Sequence, residues 1–129
     1  VIEVNNNPRY PYKPNIPLTV LINPQITLIG SETFENYEGC LSVPNLRGRV
    51  TRHCEIKIEA LDRAGNKIEN VIRGITAGTY QHEIDHLDGK LFVDRVKDPT
   101  SLCTWEAFKK YHEQDVEKEV KTIVQRWGA

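Results

Sequence analysis

The 129-residue sequence predicts an α+β fold, with antiparallel sheets packed around a central helix that carries an HExxH motif and a further helix at the C-terminus. Strand-like segments come first and helical segments follow, without the strand–helix–strand alternation that builds parallel sheets. The length suits one domain with a hydrophobic core of its own, spanning residues 1–129.

The first third of the chain is predicted to be extended. Residues 1–4 have the composition of a strand, and residues 5–17 contain four of the seven prolines, which excludes a helix and favours a surface loop. Two short apolar runs, residues 18–22 and 26–29, are predicted strands. Residues 32–43 have no clear period, so we expect a loop or an edge strand there.

A β-hairpin is predicted after Val50. Apolar residues alternate there with charged ones at the period of two that a half-buried strand requires. The apolar positions are Cys54, Ile56, Ile58 and Ala60. Residues 62–66 are typical of a turn, and residues 67–72 form the returning strand.

Two helices are predicted in the second half. The first runs from Gly74 to Leu87, with Gly89 placed to end it. Residues 91–96 are predicted to form a strand. The second and longest helix runs from Thr104 to Trp127, with Thr104 as its N-cap and one apolar stripe along its length. The stripe consists of Val116, Val120, Ile123, Val124 and Trp127.

The net charge and the hydropathy of the sequence argue against some classes of binding partner. The net charge of −1 gives no reason to expect nucleic acid or an anionic membrane surface. No apolar run approaches the roughly 20 residues that cross a bilayer. Three cysteines without regular spacing do not make a disulfide framework, so a reducing compartment such as the cytoplasm is expected.

The first helix carries the HExxH motif, QHEIDH at residues 81–86. Positions i and i+4 share one helix face, so His82 and His86 can bind one metal ion. Glu83 is then placed to act as general base for a water molecule that the metal activates. The glutamate in this position argues against two surface histidines paired by chance.

A catalytic metal usually has three protein ligands, so the two histidines need a third. No histidine follows in residues 88–96, which excludes the metzincin pattern. Glu106 and Glu113 would fit a thermolysin-like arrangement, and Cys54 would fit a structural zinc site. Cys40 lies upstream and is the strongest candidate.

Cys40 belongs to the segment EGCLS at residues 38–42. This segment, followed by QHEIDHL at residues 81–87, resembles the second and third signature motifs of the peptide deformylases. The likeness continues in Arg47, in the hairpin and in GKLFVD at residues 89–94, so it spans most of residues 18–96.

The resemblance implies an active site with one divalent metal ion. Cys40, His82 and His86 would be its ligands, a thiolate and two imidazoles that suit Fe(II), Zn(II), Ni(II) or Co(II). Fe(II) is the expectation for the family. Glu83 would be the catalytic acid/base, and the backbone N–H of Leu41 would stabilise the oxyanion.

The resemblance also implies which residues contact substrate. These are Glu38, Gly39, Arg47, Gly78 and Thr79. Glu38 is expected to pair with Arg47 or Arg52 and so hold the cysteine loop in shape. Gly78 and Thr79 would line the slot for the methionine side chain, where the family more often has larger apolar residues.

The implied activity is removal of the formyl group from the N-terminal formylmethionine of nascent polypeptides, with release of formate. Its partners would be N-formylmethionyl peptides and nascent chains near the ribosome, in the bacterial cytoplasm or in an organelle. An HExxH zinc peptidase and a metal-binding homologue without efficient catalysis are the alternatives.

The peptide deformylases have a first motif, GxGxAAxQ, whose glutamine helps hold the oxyanion. This sequence has no such motif and no methionine, and Gln25 is wrongly placed to substitute. We therefore expect a longer natural protein, of which residues 1–129 form a catalytic domain without its N-terminal segment. A separately supplied fragment and a degenerate homologue are the alternatives.

Overall fold

The computed structural model describes all residues 1–129 and has an α+β architecture of antiparallel sheets and three α-helices. The strands are β1 (Ile2–Val4), β2 (Ile16–Thr19), β3 (Ile22–Leu28), β4 (Thr33–Cys40), β5 (Val43–His53), β6 (Glu55–Leu61), β7 (Lys67–Arg73) and β8 (Cys103–Thr104). The helices are α1 (Gly74–Leu87), α2 (Trp105–Tyr111) and α3 (Glu113–Trp127). None of the helices combines the length and the apolar character that crossing a membrane requires.

The strands form three sheets, in the orders β1-β2, β3-β6-β7 and β4-β5-β8. Every pairing is antiparallel. The predicted hairpin is confirmed as β6 and β7, and the segment without a clear period is the edge strand β4. The α+β prediction, with antiparallel sheets and a C-terminal helix, is therefore confirmed.

The hairpin of β4 and β5 places Cys40 at its tip. Cys40 lies opposite Val43, so the turn has only two residues. The register then shifts, and Glu38 lies opposite Gly48. Such an irregularity adds residues to one strand and changes which side chains share a face.

Helix α1 has the predicted bounds, Gly74 to Leu87. Gly74 adopts a φ of 66°, which favours glycine. Its N–H donates to the carbonyl of Cys54, and the next N–H, of Ile75, donates to the carbonyl of Ala129. The helix start is thus fixed by β5–β6 on one side and by the end of α3 on the other.

The core consists of two clusters, and α1 contributes to both. The first comprises Ile2, Ile16, Ile56, Ile58, Ala60, Ala77 and Tyr80. The second comprises Phe34, Tyr37, Cys54, Ile75, Phe108, Val116 and Val120. The apolar stripe predicted for the terminal helix packs against this second cluster, as expected.

Two predicted elements in the second half of the chain were wrong in detail. Residues 91–96 are not a strand, because Phe92–Arg95 forms a 3-10 helix in which Asp94 accepts a hydrogen bond from the N–H of Leu91. The helix predicted from Thr104 to Trp127 is interrupted at His112, although Thr104 does cap it by accepting from the N–H of Ala107.

The early strand boundaries also differ. The predicted break at residues 23–25 lies inside β3, where Asn23 has a φ of 52° and the register with β6 is irregular. Because β3 is an edge strand, Pro24 is tolerated at this irregularity. The loop predicted for residues 5–17 ends early, since β2 begins at Ile16.

Candidate metal centre

Cys40, His82 and His86 come together between the β4–β5 hairpin and α1. Their ligand atoms all lie within 4.8 Å of one another, and Cys40 Sγ lies 3.5 Å from His86 Nε2. Metal bonds of about 2.3 Å to sulfur and about 2.1 Å to nitrogen, at tetrahedral angles, would hold these two atoms about 3.5 Å apart. The donor set therefore fits a single divalent ion.

Hydrogen bonds at Nδ1 orient both imidazole rings. His82 Nδ1 lies 2.8 Å from Glu38 Oε1, and His86 Nδ1 lies 3.1 Å from the carbonyl oxygen of Lys90. A carboxylate and a carbonyl can only accept, so each Nδ1 carries the proton. In the neutral form of each ring, Nε2 then has a free lone pair, which is the state that a metal ligand requires.

The Glu38 carboxylate favours positive charge at this centre. Burial alone would raise the pKa of Glu38, but hydrogen bonds from Arg52 and His82 lower it to about 2. Burial lowers the pKa of His82, yet Glu38 outweighs burial and raises it to about 8. A carboxylate that stabilises a charged ring also stabilises a cation bound to that ring.

The Cys40 thiol is shifted towards the thiolate. Burial opposes this, but the backbone N–H of Ser42, together with His82, lowers the pKa of Cys40. The thiolate is the form that binds metal. The two-residue turn after Cys40 therefore supplies part of the electrostatic preparation of the site.

A buried ion-pair network supports the centre from behind. Arg52 makes two hydrogen bonds of 2.8 Å to the Glu38 carboxylate and one of 2.7 Å to Asp85. Asp85 also accepts from Arg95 at 2.8 and 3.1 Å. The expected partner of Glu38 is thus Arg52 and not Arg47. No role was predicted for Asp85, which lies inside the HExxH motif, or for Arg95. Nothing in the sequence indicates that β5 and the 3-10 helix meet at this place.

Arg47 occupies a different place. It is only 5% exposed, and its guanidinium carbon lies 4.7 Å above the ring of Trp105. The guanidinium also lies against Gly39, where an added Cβ would collide with it. This close approach explains why the residue before Cys40 is glycine.

A cavity of about 550 Å³ opens beside the cluster. It is lined by the three clustered side chains and by all the other residues predicted to act on substrate, namely Glu38, Gly39, Leu41, Arg47, Gly78, Thr79 and Glu83. Glu83 is exposed and lines this cavity. Leu41, whose predicted role involves only its backbone N–H, is 85% exposed. Cys54, Glu106 and Glu113, the other ligand candidates, are not part of the cluster.

The predicted side-chain slot is bounded by Phe34 as well as by α1. An added Cβ on Gly78 would come within 2.8 Å of Cζ of Phe34, so the phenyl ring lies directly on this glycine. The ring of a β4 residue thus occupies space next to Gly78 that a larger helix residue would need.

Comparison with known proteins gives the family. The family model of polypeptide deformylase matches residues 1–101. The chain belongs to the polypeptide deformylase family. Membership implies a single divalent metal ion, for which the chain has the cysteine and two histidines described above.

Two curated deformylases illustrate the similarity. Peptide deformylase 1 of Prochlorococcus marinus is 53% identical over 96 residues, which cover 74% of this chain and 50% of that protein. Peptide deformylase 2 of a Nostoc species is 43% identical over 109 residues, covering 84% and 61%. The chain thus spans about half the length of the curated relatives it matches.

Solved deformylase structures have the same fold. The crystal structure of class I type b peptide deformylase from Acinetobacter baumannii with Met-Ala-Ser bound is 44% identical, with a TM-score of 0.68, over 74% of this chain and 60% of that chain. The peptide deformylase from Synechococcus elongatus in complex with actinonin is 30% identical, with a TM-score of 0.59, over 84% and 50%.

Proposed function

We propose that this chain carries the catalytic domain of a metal-dependent deformylase, which removes the formyl group from the N-terminal formylmethionine of nascent polypeptides. The observation that carries the proposal is the placement of Glu83 in one cavity with Cys40, His82 and His86. The family of the chain supports the same reaction.

The proposed ligands are Cys40, His82 and His86, and the proposed ion is Fe(II), with Zn(II), Ni(II) or Co(II) as substitutes. One thiolate and two imidazoles suit these ions and not calcium or magnesium. A divalent ion held there would polarise the formyl oxygen and lower the pKa of a water molecule.

The residues of the chain then have separate tasks. The Glu83 carboxylate takes a proton from the attacking water and delivers it to the departing amine nitrogen as the formyl C–N bond breaks. The N–H of Leu41 donates to the oxygen that becomes negative on the formyl carbon. The products are formate and a free N-terminal amine.

The methionine side chain is proposed to enter the slot formed by Phe34, Gly78 and Thr79. Such slots are mostly apolar, with few polar groups that fix orientation. The Met-Ala-Ser peptide bound to the Acinetobacter baumannii protein is of the type that this reaction would release. The proposed setting is bacterial or organellar translation, with nascent chains presented at the ribosome in the cytoplasm or organelle.

The test measures formate release from a formyl-Met peptide together with bound metal, after anaerobic loading with Fe(II) or Ni(II). Glu83→Ala is expected to keep the metal and to lose turnover, because the proton acceptor is gone while all three ligands remain. Glu106→Ala is the matched control, since this exposed glutamate lies outside the cluster, and should match the unmodified chain.

The alternatives predict other outcomes of that experiment. A zinc peptidase would cleave peptide bonds in unformylated peptides and would remain active in Cys40→Asp. A metal-binding homologue without catalysis would keep its metal and release no formate with or without Glu83. Retained formate release in Glu83→Ala would contradict the proposed mechanism.

A further inference from the structure

The wall of the cavity next to Gly39 carries hydrogen-bond donors that have no acceptor. Both the hydroxyl of Tyr10 and Nε of Arg47 are buried without a hydrogen-bond partner. Lys13 lines the same cavity, and its ammonium group forms no ion pair with any carboxylate.

Arg47 differs from the arginines that stabilise the rest of the fold. Five others form ion pairs with carboxylates: Arg49, Arg52, Arg73, Arg95 and Arg126. Arg47 packs against Trp105 and Gly39, its Nη1 donates to the carbonyl of Leu46, and it forms no ion pair with a carboxylate. A buried cation without a counter-ion is costly, so its environment points to an anion supplied from outside the chain.

Lys13 brings a second positive charge to the same wall. Its Nζ lies 4.3 Å from the centroid of the Tyr10 ring. Burial lowers the pKa of Lys13 to about 8; the charge of Arg47 acts in the same direction, and that of Glu38 opposes it. Glu38 cannot serve as a full partner, because Arg52 and His82 already occupy its two oxygens.

We propose that Tyr10, Lys13 and Arg47 form a carboxylate-binding subsite beside the metal cluster. A guanidinium, an ammonium and a hydroxyl are all donors to a carboxylate, and charge-assisted bonds are the stronger kind. The Arg47 guanidinium packs against Gly39, the residue before Cys40, and all three line one cavity, so the subsite adjoins the metal cluster.

Two sources can supply the carboxylate. One is formate, the product of the proposed reaction, and the other is the C-terminal carboxylate of a short peptide. The choice of source rests on the proposed function, whereas binding of a carboxylate does not. Both sources involve the same donors, so the experiment must separate them.

The experiment titrates the Zn(II)-loaded chain with formate, with the dipeptide Met-Ala and with Met-Ala amide, and follows binding by calorimetry. Lys13→Met is expected to weaken carboxylate binding about tenfold, the effect of losing one charge-assisted hydrogen bond. Zinc content should not change, because Lys13 is not among the clustered ligands. Lys118→Met is the control, since this exposed lysine of α3 forms no ion pair.

The titrations with formate, Met-Ala and Met-Ala amide distinguish the two sources of the carboxylate. A loss confined to formate identifies the product, and a loss of the preference for Met-Ala over its amide identifies the peptide terminus. Unchanged affinities in Lys13→Met would overturn the proposal even if Arg47→Met failed to fold. A Lys13-dependent affinity in a chain that releases no formate would reject the proposed function and leave the subsite intact.

Discussion

Glu38 Oε1 lies 2.8 Å from His82 Nδ1, and this contact joins the strand that ends in Cys40 to the helix that carries both histidines. The carboxylate is held in turn by Arg52, with two hydrogen bonds of 2.8 Å. The three clustered side chains come from two elements that are far apart in sequence. Their relative position therefore depends on this buried contact.

Replacing Glu38 with glutamine should weaken metal binding. The amide is neutral, so it no longer stabilises positive charge on His82, and it leaves Arg52 with one charged partner fewer. Loss of such a supporting group typically costs about 10- to 100-fold in metal affinity. Competition with a chromophoric chelator measures the affinity directly.

Glu35→Gln is the matched control, because Glu35 lies on the same strand but forms an exposed ion pair with Arg49. Its metal affinity should equal that of the unmodified chain. Equal affinities in the Glu38 and Glu35 variants would mean that the Glu38–His82 contact does not support the ligand.

Replacing Arg52 with methionine should destabilise the fold. Arg52 is buried and compensates the charges of Glu38 and Asp85. Removing one member of a buried ion pair costs about 3–5 kcal/mol in the free energy of unfolding. Urea denaturation measures this, with Arg126→Met as control, because its exposed ion pair with Glu32 is worth at most about 1 kcal/mol. Similar losses in both variants would contradict the account.

From the sequence alone, both Arg47 and Arg52 were candidate partners of Glu38, because strand register is not a local property. Arg47 and Arg52 are five residues apart on β5, so they point to opposite faces. The face that meets Glu38 depends on the shift in register beyond Cys40 and Val43, which places Glu38 opposite Gly48. A regular hairpin would have placed Asn45 there, and nothing in the composition predicts the shift.

Helix α1 was predicted to the residue because its signals are local. The i, i+4 histidines need a helix, and Gly89 ends it with a φ of 72°. The break at His112 coincides instead with a tertiary contact, in which the His112 ring stacks on Tyr37 with centroids 5.1 Å apart. The predicted apolar stripe, from Val116 to Trp127, lies wholly after the break and gave no indication of it.

Replacing Gly74 with alanine should destabilise the chain for two reasons. A side chain at a φ of 66° is strained, and the added Cβ would collide with the carbonyl oxygen of Ala129. Gly30→Ala isolates the first effect, because Gly30 has a φ of 69° and open space around it. We expect the free energy of unfolding to fall by about 1–2 kcal/mol in Gly30→Ala and by at least about 1 kcal/mol more in Gly74→Ala. Thermal unfolding compares them, and equal losses would show that the collision is relieved.

Carboxylate binding at the proposed subsite should weaken as the pH rises through about 8. Binding needs the ammonium form of Lys13, which is present below its pKa of about 8 and lost above it. Two groups that face Lys13 do not change charge in this range, because burial raises the pKa of Tyr10 and hydrogen bonds from Arg52 and His82 hold the pKa of Glu38 at about 2. Formate titrations about one pH unit below and above this pKa test it. The part of the change in affinity with pH that is due to Lys13 should be absent in Lys13→Met. A pH dependence in that variant equal to that of the unmodified chain would contradict the prediction.

The three cysteines allow a direct test of the metal centre. Only Cys40 lies with His82 and His86, whereas Cys54 is buried in the core and Cys103 lies in β8. A thiolate bound to Co(II) gives a charge-transfer absorption that imidazole and carboxylate ligands lack, so the spectrum reports which cysteine binds.

The decisive measurement is that absorption in Co(II)-loaded Cys40→Ser, Cys54→Ser and Cys103→Ser. We expect one Co(II) per chain, with the charge-transfer band in the unmodified chain and in the Cys54 and Cys103 variants, and loss of the band in Cys40→Ser. A band that persists without Cys40, or that disappears with Cys54 or Cys103 instead, would contradict the assignment of Cys40, His82 and His86 as the metal centre.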